Sequence, residues 1–345
     1  MNQHDDIRLS LPSKGRLSTR AIEFLAACGF DIYKPNPRQY AASIPALPGV
    51  TVLFQRVGDI VVGVRDGTVD FGITGMDVTA EHRGAGDEIL VLHDKLGFGS
   101  CHLAVAVPEA WEQVTTMDDL AAHAGRLDRP LRVATKFPNV TRAFLTAQGI
   151  APCAVIEAEG TLEVAPAIGY ADCIVDLVSS GQTLRDNRLR ELADGTILRS
   201  QAALIANRTA LRSRSEVLEV ARTLLEFTEA HLRAQSHVMV TANVRGESPD
   251  AIAARMTERP TLRGLQGPTL SPVIAQGSMQ NGWYAVQIAA RRDALFAIIR
   301  DLRAIGGSGV IVSPITYVFE EEPARYKAMM KAVTRQRTQQ TTCNL

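Results

Sequence analysis

The residues closest to chemistry in this chain are two acids and a hydroxyl-rich turn in the stretch YADCIVDLVSSGQTL, residues 170–184. In an extended segment Asp172 and Asp176 are an even number of residues apart, so both carboxylates leave one face with Ile174, while Cys173, Val175 and Leu177 cover the other. The run then empties into Ser179, Ser180, Gly181, Gln182 and Thr183, whose backbone N–H groups and hydroxyls can cradle a phosphate oxygen without a fixed positive charge. Acids behind such a turn come within reach of ribose hydroxyls or a bound Mg²⁺. Taken alone, the same residues are equally those of a buried strand that ends in an ordinary Ser-Gly turn with two solvated aspartates.

Cations stand at a second place. Lys14 and Arg16 lie in a loop between an apolar run at 7–11 and a helix with Ser18 as N-cap and Gly29 as terminator. A strand-loop-helix corner sets them at the carboxyl end of a strand, where open α/β sheets bind ligands, and two cations there suit a polyphosphate. Solvated surface charge is the competing reading. Gly75 in VDFGITGMD, and Gly97 and Gly99 before the strand at 102–107, permit close backbone approach to a ligand, although packing before a buried strand asks for glycine too.

The elements that must position these residues follow from periodicity. Strands at 50–55 and 69–74 and a short helix at 59–67 continue the first α/β unit, and the polar segment 109–130 reads as a domain crossing. A regular alternation follows: strand 131–135, helix 139–148, strand 153–157, a helix from Thr161, then the opening stretch. This βαβαβ order implies a parallel sheet. A strand at 197–207 and a long helix opened by a Ser213/Glu216 capping box return the chain to the first unit, which makes two lobes with a cleft between them. From His237 the pattern becomes βαββαβ, the ferredoxin-like plan, with Ser248 capping its first helix, and a polar tail closes the chain. The boundaries expected are 1–107 with 195–235, 108–194, 236–322 and a tail at 323–345.

Composition narrows the function. A chain of 345 residues with 46% hydrophobic content builds two or three core-forming domains. Lys plus Arg and Asp plus Glu both number 37, so no bulk field draws it to nucleic acid or to an anionic membrane. The acidic start MNQHDDIRLS is unlike a signal peptide, and no apolar run approaches the roughly 20 residues of a membrane span, which predicts a cytoplasmic protein. Five cysteines without a CxxC pair and seven histidines without ligand spacing argue for reduced thiols and against a structural metal.

The motifs LPSKGRL, VDFGITGMDV, LGFGSCHL, RVATKFPNVTR, TLEVAPAIGYADCIVDLVSSGQTL, QGPTLSPV and AIGGSGVIVSPI, in this order, resemble ATP phosphoribosyltransferase in its long form with a C-terminal regulatory domain. The resemblance implies an α/β fold, with a two-lobed catalytic core like the periplasmic binding proteins followed by a ferredoxin-like regulatory domain. It implies the first step of histidine biosynthesis: transfer of the phosphoribosyl group of phosphoribosyl pyrophosphate (PRPP) to N1 of ATP, with Mg²⁺. Residue by residue, Ser179, Ser180, Gly181, Gln182 and Thr183 would hold the 5-phosphate of PRPP, with Glu163, Asp172 and Asp176 at the ribose or metal, the metal through Asp172 and Asp176. Lys14 and Arg16, with Gly75, Asp77, Phe98, Gly99 and Cys101, would form the facing wall for pyrophosphate and ATP; Lys14, Arg16 and Asp176 are the residues assigned to catalysis. Histidine as inhibitor points to Asn243, Leu265, Thr269, Ala289 and Gly309, and Asn243 stands where some relatives carry an aspartate. Assembly as a homo-hexamer in equilibrium with dimers is also implied. One departure limits the match to this family: type I phosphoribosyltransferases place adjacent acids before their phosphate loop, and here Asp176 stands alone before Leu177 and Val178. A two-lobed solute-binding protein and a catalytically silent regulatory paralogue are the alternative readings.

Overall fold

The computed structural model describes residues 6–36, 39–274 and 282–334. The chain divides into two compact units, residues 1–225 with 324–345, and residues 226–323. In the first unit β1 (Ile7–Pro12), α1 (Gly15–Ala27), β2 (Ala41–Ser43), β3 (Val50–Gln55), α2 (Val57–Asp66), β4 (Phe71–Gly75), α3 (Met76–His82) and β5 (Ile89–His93) come first. Then follow β6 (Cys101–Pro108), α4 (Met117–Ala124), β7 (Leu131–Thr135), α5 (Pro138–Ala147), β8 (Cys153–Glu157), β9 (Cys173–Val178), α6 (Gln182–Asp186), β10 (Leu189–Ser200), β11 (Ala202–Asn207) and α7 (Arg208–Ser213). They build two sheets, β2-β3-β1-β4-β11-β5 and β10-β6-β9-β7-β8. The α/β core with two lobes is as expected.

The sheets correct the lobe boundaries. β6 pairs with β9 and β10, so it belongs to the second lobe and not to the first, and β10 starts at Leu189 and runs to Ser200 before the chain crosses back at Gln201. The expected single strand at 197–207 is therefore two strands in two sheets, because its apolar character continues through the crossing. The segment 109–130 is no crossing either. It holds α4, opened by a Thr116/Asp119 capping box, and it buries Val114, Met117 and Leu120 against Leu103, Val105, Leu131 and Val133. Helix α1 begins at Gly15 with Lys14 at the N-cap, four residues ahead of the expected cap Ser18. The capping box at Ser213 is also absent: that hydroxyl donates to the Thr209 carbonyl inside α7, and Glu216 accepts from Arg214.

Alternation in β9 is as the spacing predicts. Cys173 and Val175 enter the core with Val133, while Ile174 and Val178 join Ala104, Ala106 and Leu184 on the opposite face. A buried ion pair ties the ends of the first lobe together. Asp70 accepts from the backbone N–H of Arg8 at 2.8 Å and from the Arg214 guanidinium at 3.1 Å, with exposures of 2% for Asp70 and 9% for the Arg214 side chain.

The second unit runs from the end of α8 (Ser215–Gln235) through β12 (His237–Arg245), α9 (Pro249–Thr257), β13 (Thr269–Pro272), β14 (Trp283–Arg291), α10 (Leu295–Ala304) and β15 (Gly307–Pro314). Its order β13-β14-β12-β15, antiparallel throughout, is the expected ferredoxin-like sheet, and Ser248 caps α9 by accepting from Ala251 N–H. Periodicity extends a strand over 269–275; β13 covers Thr269–Pro272 of it, and Ala275 lies outside the described residues. The polar tail contains α11 (Ala324–Thr334), which docks on the first unit through Arg325 to Asp94 at 2.6 Å and through Arg208 to the Ala332 carbonyl. Residues 335–345 fall outside the described residues. Among the described residues no helix is long and apolar enough to cross a membrane.

Removing Asp70 takes away the buried anion of Arg214 and leaves its guanidinium the solvent-exposed Glu216, which costs up to about 3–5 kcal/mol. Asp70→Ala is therefore expected to lower the urea midpoint sharply, followed by circular dichroism; a loss under about 1 kcal/mol would show that the pair does not anchor the lobe.

Candidate active site

The turn after β9 is where the sequence places it. Gly181 adopts φ +70°, ψ 4°, a left-handed conformation that turns successive N–H groups inward at little cost for glycine. Ser179 and Ser180 are exposed, Ser180 Oγ accepts from Gln182 N–H at 3.4 Å, and Leu184 anchors α6 in the core beneath. The turn needs no fixed charge to cradle an anion, yet one stands beside it. From α6 the Arg185 guanidinium folds back over it, donating to the Ser180 carbonyl at 3.1 Å and to Gln182 Oε1 at 3.0 Å. A Cβ on Gly181 would stand 2.9 Å from Arg185 Nη1.

Asp176 lies two residues before the end of β9, directly opposite Ala104 of β6, whose small side chain leaves room on that face. Burial pushes its carboxyl above the usual range, and Glu163 adds to the rise; Leu177 N–H at 2.8 Å and the Lys136 charge act against it. Lys136 follows Thr135, the last residue of β7, which pairs with β9 in parallel. Its cation thus reaches the acid from the neighbouring strand end. Glu163 sits in a short 3-10 turn entered through Thr161, a β-branched residue at φ +35°, where the spacing predicted a longer helix.

Asp172 does not share this place. It flanks the opposite end of β9, roughly 13 Å along the strand from Asp176. Arg129 binds it bidentately at 2.6 and 2.7 Å, and Arg132 donates through its side chain at 3.0 Å and its backbone N–H at 2.9 Å. These donors hold the carboxyl well below its ordinary range. The even spacing gave the correct face but said nothing of the distance along it, so Asp172 is corrected from ribose or metal ligand to structural anchor. Metal ligation by Asp172 and Asp176 together is excluded by the same distance. Among the described residues no group of three His, Cys, Asp or Glu side chains forms a metal cage. Mg²⁺ needs none, since it is commonly held by one or two carboxylates plus substrate phosphates, and Asp176 with Glu163 fits that donor set.

On the facing wall, Gly75 precedes α3 at a point where a Cβ would collide with the Asp77 carboxylate. Asp77 is buried; Ser200 Oγ–H donates to it at 2.6 Å and its own N–H returns to Ser200 Oγ at 3.0 Å. Burial pushes the Cys101 thiol up, and the nearby Asp77 charge pushes the same way. Phe98 packs on Phe24 with centroids 5.4 Å apart, and a Cβ on Gly99 would stand 3.2 Å from Leu17 of α1. Lys14 and Arg16, both exposed, project from the first residues of that helix. The wall residues are thus drawn together, with Ser200 as a member that the sequence did not disclose.

In the second unit Asn243, Thr269 and Ala289 lie on strands, alternating with the core residues Val244, Val286, Ile288 and Ala290 and so on the opposite face of the sheet. Two groups form. Leu265 N–H donates to the Ala289 carbonyl at 2.9 Å, and a Cβ on Gly309, at φ +61°, would approach Asn243 Nδ2. Along the β12/β14 ladder Asn243 and Ala289 stand four pairs apart, roughly 13 Å.

With this geometry in place, comparison with known proteins decides the family. Residues 56–226 match the model of ATP phosphoribosyltransferase and residues 234–317 that of its C-terminal domain. The chain is 43% identical to ATP phosphoribosyltransferase 1, chloroplastic, of Arabidopsis thaliana, over 95% of this chain and 81% of that protein. The chain belongs to the ATP phosphoribosyltransferase family. The Bradyrhizobium enzyme is 36% identical over 94% of this chain and 98% of its own. Among solved structures, the ATP phosphoribosyl transferase (HisG:HisZ) complex from Thermotoga maritima superposes with a TM-score of 0.50 at 25% identity, covering 65% of this chain and 98% of that one. The protein is thus a transferase of histidine biosynthesis in the long form, with a separate C-terminal domain.

The two aspartates should respond oppositely to loss of charge. Asp172→Asn removes charge-assisted bonds and should destabilise the transferase by about 2 kcal/mol, leaving the Michaelis constant for its phosphorylated substrate within about twofold. Asp176 has a raised folded pKa, so its ionisation opposes folding once the pH exceeds the unfolded-state value of about 3.9. Asp176→Asn should therefore melt higher than the unsubstituted chain at pH 7, with the gain vanishing as the pH falls through the carboxylate range, while turnover drops. Equal destabilisation of both variants at pH 7 would contradict this division.

Proposed function

We propose that this transferase joins PRPP to N1 of ATP, forming N1-(5-phosphoribosyl)-ATP and pyrophosphate as the committed step towards histidine. The observation that carries the reading is the meeting of a left-handed turn, a half-buried acid and two cations at the ends of neighbouring strands: Gly181, Asp176, Lys136 and Arg185. A phosphate in the turn 179–183 sets the ribose against Asp176 and Glu163. Lys14 and Arg16 then face the pyrophosphate, and Gly75, Asp77, Phe98, Gly99 and Cys101 form the wall for ATP.

The chemistry asks little covalent help from the protein. Adenine N1 is a neutral, weak nucleophile, so acceleration comes from holding it against the ribose C1 and from stabilising positive charge at that carbon and negative charge on the departing pyrophosphate. Asp176 supplies an anion beside the first; Lys14 and Arg16 supply cations beside the second. A bound Mg²⁺, taken by Asp176 and Glu163 with the substrate's phosphates, would add charge neutralisation of the leaving group. No histidine or cysteine is required as nucleophile.

Histidine inhibits from the second unit. The spacing of Asn243 and Gly309 from Leu265, Thr269 and Ala289 exceeds the reach of one amino acid, which supports a ligand held between copies in a hexameric assembly. Asn243 offers the ligand an uncharged amide where a carboxylate would give a charge-assisted bond, so inhibition is weaker than with an aspartate.

Pyrophosphate release is expected with ATP and PRPP together and not with either alone, read by a coupled phosphate assay; release with PRPP alone would mark a hydrolase instead. Gly181→Val places a branched side chain at φ +70° against Arg185, and should raise the PRPP dissociation constant by more than about tenfold with the melting transition retained. Calorimetry showing unchanged PRPP affinity would remove the phosphate from this turn. Asn243→Asp should lower the half-inhibiting histidine concentration about tenfold, the difference between a charged and a neutral hydrogen bond; an unchanged or higher concentration would place the inhibitor elsewhere.

A further inference from the structure

Helix α3 has an acid with no part in the chemistry above, and it is the best-placed residue to decide how far apart the two substrates sit. Glu81 is 4% exposed and lies one turn beyond Asp77 of the first-lobe wall. Its carboxylate crosses to the second lobe, accepting from Asn139 N–H at 2.9 Å through Oε1 and from Val140 N–H at 3.0 Å through Oε2. The Asn139 side chain returns to the Glu81 carbonyl at 3.3 Å. Those N–H groups belong to the first turn of α5, where helical donors lack intrahelical partners and the dipole favours an anion. Val78, one turn earlier on α3, packs against the apolar clusters of both lobes.

The helix that Glu81 holds begins two residues after Lys136, the cation beside Asp176. The corner between them is set from within its own lobe by Thr135, whose Oγ1 accepts from Phe137 N–H at 3.0 Å. Across the lobes it is set by Glu81. We propose that Glu81 is a positioning residue: it ties the wall carrying Asp77 to the strand ends carrying Lys136 and Asp176, and so fixes the distance from the nucleophile to the ribose carbon. This rests on the transfer reaction proposed above. Each lobe retains its own binding groups without Glu81, and the paired crossing segments still join them, whereas the tie from α3 to the corner at Lys136 is lost, so the effect falls on turnover. Misplacement by about 1 Å costs up to roughly 100-fold in rate.

Glu81→Gln preserves shape, but its NH₂ replaces one of the two accepting oxygens and would face an N–H donor. Glu81→Asp keeps the charge while shortening the reach by one methylene, and guards against a folding failure of the first variant. Steady-state pyrophosphate release by the full chain, expressed per mole of folded enzyme from the melting amplitude, should show kcat reduced about 10- to 100-fold in Glu81→Gln and less in Glu81→Asp. The KM for ATP and for PRPP should each stay within about threefold. A purely structural residue would lower the melting temperature and leave kcat per folded enzyme unchanged; that result, or KM values rising in proportion to the fall in kcat, overturns the proposal. Turnover absent from the unsubstituted chain overturns the reaction assignment, and the role of Glu81 with it.

Discussion

The two lobes are joined by two segments of chain, and those segments are hydrogen-bonded to one another. Leu96 N–H donates to the Ala202 carbonyl and Ala202 N–H to the Phe98 carbonyl, both at 3.0 Å, while Gly97 N–H reaches Gln201 Oε1 at 3.1 Å. Met76 N–H adds a bond to the Gln201 carbonyl at 3.1 Å, so the start of α3 is pinned to the same crossing. Much of the facing wall hangs from this joint. Phe98, Gly99 and Cys101 lie on one crossing segment, Ser200 ends the other, and Asp77 is held by Ser200. A wall built on paired crossings keeps its shape even where its glycines leave the backbone free to turn.

On the other side, the site is made from groups held in states that folding alone would not choose. Asp176 is kept above its ordinary pKa by burial beside Glu163, and Thr161 holds a conformation disfavoured for a β-branched residue. Strain and poorly compensated charge of this kind cluster at functional sites. Asp172 shows the opposite condition, with every oxygen matched by a guanidinium or backbone donor. Two aspartates four residues apart thus divide the work: one secures the sheet and the other is left with its charge poorly compensated.

The second unit follows a different economy. Its sheet buries Val240, Ala242, Val244, Val286 and Ile288 on one face under α9 and α10, and the proposed regulatory residues lie on the other. Alternation along β12 and β14 is enough to separate the two faces. The chain then returns through α11, whose Arg325 bonds Asp94 two residues ahead of the crossing segment at Leu96. The first unit therefore includes a helix that follows the C-terminal domain in sequence, close to the joint between its lobes.

Local signals determined a large part of this protein. The period of two in β9, the left-handed glycine after it, the Ser248 cap and the βαββαβ order from His237 are properties of short stretches, and each was legible without any distant contact. The motif order identified the family for the same reason. What needed the tertiary structure was every relation along or between elements. Periodicity gives the face a side chain leaves but not its distance along the strand, so spacing alone groups Asp172 with Asp176. Apolar character alone cannot say which sheet a strand joins, so the sequence does not assign β6 to the second lobe. Lys136, Ser200 and Glu81 carry no local mark, because their meaning is a distance to residues up to 123 positions away, and only the folded chain sets that distance.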